Sequence, residues 1–184
     1  MKKLLLTLTL MSLFCGYTMA QTEAGSKLIG GTGTLHINTE ENDPDPSFVV
    51  LSPRVGFFVV NNIAVGAAVP LAFAATEIET NTSLGLTPFV RIYVGSSPSR
   101  FLLEGRAGYN YSIYKNKETD ASITDSFTSY GVGLGYVHFI NQHVGLELLV
   151  SYDKTDDEMI TLDNSHFTGI NLNLGLQIYL SPRK

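Results

Sequence analysis

Cysteine is nearly absent. The 184 residues hold one, Cys15, and it lies in the first twenty positions. Disulfides, Cys-ligated zinc and thiol catalysis are therefore excluded for everything downstream. Tryptophan is missing altogether, and charged side chains make up only 16% of the chain, well under the roughly 25% of an average soluble domain. Twelve Lys/Arg against seventeen Asp/Glu leave a net charge of −5, so there is no basic field to hold a nucleic acid. Past the N-terminus no apolar run reaches the ~18 residues a membrane-spanning helix needs. What is present is 44% hydrophobic residues, nine tyrosines, ten phenylalanines and 17 glycines. That composition excludes disorder and suits one domain.

The first twenty residues have the form of a secretory signal peptide. Lys2 and Lys3 precede an apolar stretch over residues 4–14, and Thr18-Met19-Ala20 ends it as a small-residue cleavage site. The stretch is too short to span a bilayer. The expected boundaries are a cleaved leader at 1–20 and a barrel domain at 21–184. A lipoprotein reading would acylate Cys15, but the bulky Phe14 before it argues against that site.

From Gln21 onward the hydrophobic period is two. Ile170, Leu172, Leu174, Leu176, Ile178 and Leu180 alternate with Asn171, Asn173, Gly175, Gln177 and Tyr179. One face is aliphatic and the other polar or small, the mark of a strand between two media. Val144 to Tyr152 repeats the pattern, with Leu149 as its one exception, and Tyr130, Val132, Leu134 and Tyr136 alternate with glycines and serine. Further strands are predicted over 101–113, 84–94, 63–73 and 48–60, and over 27–37, where glycine leaves the facing ambiguous. That makes eight. The links between them alternate long and short: long over 36–47, 74–83, 114–126 and 153–165, short at 61–62, 95–100 and 140–142. An even strand count with short turns at one end and long loops at the other predicts an all-β, eight-stranded antiparallel up-and-down transmembrane barrel.

Charge follows the same division. Fourteen of the seventeen carboxylates fall in the four long links. Strand charges sit only on the polar face, where Arg54, Arg91, Glu104, Arg106 and Glu147 are found. On the aliphatic face, at the bilayer midplane, an arginine would cost about 2–4 kcal/mol. A soluble lipid-binding barrel would reverse the arrangement, with apolar residues inside.

The stretch Leu51-Ser-Pro-Arg-Val-Gly-Phe-Phe-Val-Val-Asn-Asn-Ile-Ala-Val-Gly-Ala-Ala-Val69 reads as strand, tight turn, strand. With the closing Gly175-Leu-Gln-Ile-Tyr-Leu180, it resembles the outer membrane protein β-barrel domain family. Its plan is similar to the OmpA transmembrane domain and OmpX, in a form common in the Bacteroidota. The resemblance implies an outer-membrane location, contact with lipid and lipopolysaccharide, insertion by the barrel-assembly machinery, and no cofactor. The last strand departs from the family's usual ending, since Ser181-Pro-Arg-Lys184 follows it.

Two groups of residues are candidates for function. If residues 95–100 form the turn, Val94 pairs with Phe101 and Arg91 falls opposite Glu104. With Arg54, Arg106 and Glu147 these would form a charge network inside the lumen, because buried charges must pair and eight strands leave an interior only wide enough for side chains. The bland reading is a plug that holds the barrel shut; the alternative is a narrow ion path, making the protein a small porin. The second group is acidic: Glu40, Glu41, Asp43 and Asp45 in the first long link, and Asp153, Asp156, Asp157 and Glu158 in the last. These are expected to be solvated surface loops, with loose cation bridging to lipopolysaccharide or a protein ligand as the alternative. The run 153–158 lacks the glycine of a calcium loop. His36, His138, His143 and His166 show no metal-ligand spacing. His166 beside Ser165 and Asp163 has the residue types of a lipid A-modifying enzyme, but adjacency is not a triad. The expectation is a non-enzymatic, monomeric barrel with a structural or surface-interaction role.

Overall fold

The computed structural model describes residues 21–36, 47–75, 79–95, 98–117, 121–156 and 169–182. The leader, Glu40, Glu41, Asp43, Asp45, Asp157, Glu158, Asp163, Ser165 and His166 lie outside the described residues. Among the described residues there are nine strand segments: β1 (Lys27–His36), β2 (Ser47–Val60), β3 (Ile63–Ala68), β4 (Leu71–Ala75), β5 (Glu79–Val94), β6 (Ser99–Asn116), β7 (Ser122–Phe139), β8 (Val144–Asp156) and β9 (Gly169–Leu180). All pairings are antiparallel, and β1 pairs with both β9 and β2, so the sheet closes on itself.

The ring has eight staves because β3 and β4 share one. Both lie between β2 and β5. The single strand predicted over 63–73 is interrupted at Val69-Pro70, since proline has no N–H to give the ladder. The ladder resumes around it: Val69 N–H donates to Pro53 O at 2.8 Å and Gly85 N–H to Pro70 O at 2.9 Å.

The aliphatic face points outward on every stave. Val55 is 58% exposed, Leu134 69% and Leu172 61%, an apolar surface that only lipid can cover. In β1 the ambiguous facing resolves with Leu28 and Thr32 inward and Ile29 outward.

The strands run further than the polarity pattern suggested. β5 begins at Glu79 and β6 and β7 extend to Asn116 and Ser122, so the predicted long links 74–83 and 114–126 shorten to 76–78 and 117–121. Residues there, such as Thr80, Thr82 and Thr124, are polar because the ladder has left the apolar zone, and they still suit a strand. At the opposite end the Asn61-Asn62 turn is tight. Asn62 adopts a left-handed backbone (φ 66°), which asparagine tolerates, and a bulge in β2 between Phe58 and Val60 absorbs the extra residue.

Candidate functional site in the barrel lumen

The lumen has three layers. At the turn end it is apolar. Phe58, Tyr93, Phe139 and Tyr179 pack with ring centroids 4.9–6.3 Å apart, alongside Leu28, Leu102 and Val137. This corrects the expectation of a polar interior throughout. Residues 21–26 run beneath this layer. Gln21 Nε2 donates to Asn141 O at 3.1 Å, Thr22 Oγ1 to Asn62 Oδ1 at 2.6 Å, and Ala24 N–H to Asn61 Oδ1 at 2.9 Å. Those partners belong to the β2–β3 and β7–β8 turns, so the segment spans the end of the barrel. Gln21 and Thr22 are buried. Short polar residues without periodicity gave no sequence signal for this cover.

Above the apolar layer lie the charges. The ladder puts Arg91 opposite Glu104 and Val94 opposite Phe101. Arg91 Nε meets Glu104 Oε2 at 2.5 Å, while its Nη1 and Nη2 grip Glu147 Oε2 and Oε1 at 2.7 and 2.8 Å. Glu104 also accepts Arg54 Nη1 at 3.0 Å and Arg106 Nη1 at 2.7 Å. Arg106 turns its other nitrogens to both oxygens of Asp153, at 2.9 and 2.6 Å. The Phe89 ring stacks with Arg54 and Arg91, 5.6 and 5.3 Å from its centroid. Three guanidiniums and three carboxylates thus cancel in one connected group. Arg91, Glu104 and Glu147 are at most 2% exposed.

Asp153 was expected in a loop and is not. It lies in β8, facing inward, where it also accepts Ser151 Oγ at 2.8 Å and Asn171 Nδ2 at 3.0 Å. Asp156 likewise belongs to β8. Their place in an acidic run hid the continuing period of two: Glu147, Leu149, Ser151 and Asp153 form one inward row.

Glycine makes the room. A Cβ at Gly131 would run into Asp153 Oδ1, one at Gly133 would come within 2.9 Å of Leu149 Cδ1, and one at Gly135 within 3.0 Å of Leu102 Cγ. The glycine row of β7 is therefore the recess that receives long side chains from β6 and β8. It also explains how Leu149, the apparent exception, fits inside.

The third layer, toward the loop end, is a cavity of about 240 Å³. Arg54, Glu104, Arg106 and Asp153 line it from the charged layer, and its walls carry Ser52, Ser83, Thr87, Asn110, Ser129 and Asn173. His138 and His143 are far from it. His138 faces outward, its Nδ1 3.0 Å from Ser99 Oγ, which Tyr136 also contacts at 2.7 Å. Among the described residues no cluster of His, Cys, Asp or Glu could hold a metal.

A closed antiparallel ring with lipid-facing aliphatics and inward charges matches the outer membrane protein beta-barrel domain family over residues 6–177. The chain belongs to that family. It is an integral outer-membrane β-barrel, in an environment of lipid and lipopolysaccharide. No curated protein matches it. Among solved structures it is similar to the N-terminal β-barrel domain of Pseudomonas aeruginosa OprF, with TM-score 0.56, 11% identity, and coverage of 85% of this chain and 98% of that one. It is also similar to Neisserial surface protein A, with TM-score 0.51, 12% identity, and coverage of 85% and 95%. At such identities the likeness extends to the fold.

Proposed function

We propose that this family member is a closed, monomeric barrel with a structural or surface-interaction role, exported by its leader at 1–20 and inserted by the barrel-assembly machinery. Its lumen is plugged by Arg54, Arg91, Glu104, Arg106 and Glu147, with Asp153 as a sixth member. The observation that carries this reading is the mutual pairing of three arginines and three carboxylates across β2, β5, β6 and β8. Each guanidinium is held by a carboxylate, and an eight-stranded interior leaves little further width. The apolar layer and the 21–26 cover lie in series beneath. A permeant ion would have to displace paired charges and then cross a desolvated aromatic layer, and both steps are costly. In this reading Glu40, Glu41, Asp43 and Asp45 of the first link and Asp157 and Glu158 of the last are the carboxylates that an outer-membrane ligand or lipopolysaccharide-bound cations would meet, while Asp153 belongs to the plug. Lipid A chemistry and cofactor use have no part in this reading.

Planar-bilayer recording tests it. Purified protein is expected to give no steady channels above background. Reproducible, ohmic wild-type channels would make it a small porin instead. Unchanged lipid A mass spectra on overexpression are expected as well, and a modified species would make it an enzyme.

A further inference from the structure

The charged plug does not fill the barrel to its rim, and the space left above it has two unlike walls. An eight-stranded barrel ordinarily fills its interior with side chains. Here the inward positions of β2, β3, β4 and the link between them are small or short: Val50, Ala68, Pro70 and Ala72 make one apolar wall. The break at Pro70 belongs to this wall. Across the ring from that stave stands β8, with β9 beside it, and they contribute Asp153, Thr155, Asn171 and Asn173. The space of about 240 Å³ far exceeds the roughly 10–15 Å³ one water needs. It falls below the roughly 300–1,000 Å³ of sites for drug-sized ligands.

Charge narrows the choice of occupant. Arg54 and Arg106 line the cavity, but so do Glu104 and Asp153, and the four are bonded to one another. A phosphate or carboxylate would have to break Arg106 away from Asp153, and an ammonium would have to displace an arginine. A neutral solute meets neither obstacle. One with a CH face and a rim of hydroxyls matches an apolar wall opposite amides and hydroxyls.

We propose that the loop-end cavity is a binding site for a small, neutral, polyhydroxylated solute of monosaccharide size, seated with its CH face on Ala68, Pro70 and Ala72 and its hydroxyls on Asn171 and Asn173. The site rests on the lumen being closed at the charged layer. A conducting wild-type barrel would remove that closure, whereas the titration below addresses the site alone.

The test is a titration of the purified full barrel in detergent with methyl β-D-glucopyranoside, followed by saturation-transfer NMR. Saturable millimolar binding is expected. Ala72→Leu, which fills the cavity from the apolar wall, should abolish it, and Asn171→Ala should weaken it about tenfold, the effect of one lost hydrogen bond. Leu172→Ala, on the lipid face, should leave it unchanged. All three variants are to be checked for the gel shift of a folded barrel; where the shift is missing, Ala68→Leu replaces Ala72→Leu, Asn173→Ala replaces Asn171→Ala, and Leu174→Ala, also on the lipid face, replaces Leu172→Ala. Glucose 6-phosphate and glucosamine should bind more weakly than the neutral glycoside. Absence of saturation, equal binding by the cavity-filled variant, or tighter binding of a charged sugar would overturn the proposal.

Discussion

The two halves of the lumen are built on opposite rules. The turn end holds four aromatic rings, the aliphatic residues packed with them, and six mutually paired charges above. At the loop end the same staves carry Ala, Ser, Thr and Asn and leave about 240 Å³ unfilled. The outward face does not register the difference, since lipid-facing aliphatics continue past both levels. Packed and paired side chains are therefore concentrated in the lower half, so substitutions there are expected to cost more than substitutions in the wall of the cavity above. An interior that was polar along its whole length would have shown no such division.

Substitutions should break or sharpen that contrast in a definite order. The largest loss is expected for Glu104→Gln, because three arginines converge on that carboxylate, and stranding a buried charge typically costs about 3–5 kcal/mol. Urea unfolding in lipid vesicles, read by the heat-modifiable gel shift, measures it. Phe58→Ala removes the ring that touches both Tyr93 and Tyr179 and should cost a comparable amount, about 3–5 kcal/mol, in the same assay.

Next comes a paired comparison. Arg91→Ala leaves Glu147 without the guanidinium that grips both its oxygens. The double variant Arg91→Gln with Glu147→Gln removes one charge of each sign and leaves Glu104 with Arg54 and Arg106. The double variant should be the more stable of the two, since neutral removal of a buried pair is milder than breaking it. Equal midpoints would show that Arg91 is not held by Glu147. Thr22→Ala cuts the cover's bond to Asn62 and should cost about 1 kcal/mol. Ser83→Ala, in the wall of the loop-end cavity, should fall within about 0.5 kcal/mol of wild type.

Much of this was legible in the sequence, and the reasons are physical. A period of two with an aliphatic face identifies a stave without reference to its neighbours. Turn length then sets register, which is how Arg91 came opposite Glu104. Contacts between staves that do not pair are another matter. Arg54 and Glu104, or Arg91 and Glu147, meet across the lumen, and their relative heights depend on the stagger of the whole ring, which no hairpin reveals. Polarity misled at the loop end, because it reports the medium around a strand and not where the strand stops. Asp153 and Glu79 were assigned to links for that reason and lie in β8 and β5. The glycine row of β7 was visible as alternation, but its use became clear only beside Leu149 and Asp153.

Site-directed thiol labelling tests the division of the lumen most directly. With Cys15 replaced by serine the chain has no cysteine, so single cysteines can be placed at will. Ser52→Cys and Ser83→Cys, in the walls of the loop-end cavity, and Ala64→Cys, fully buried and paired in the ladder with Phe58 of the apolar layer, are exposed in the folded barrel to a membrane-impermeant thiosulfonate. Rapid modification at 52 and 83, with none at 64 until the barrel is unfolded, is the result expected of a lumen sealed at the charges. Modification at 64 as fast as at 52 would contradict it.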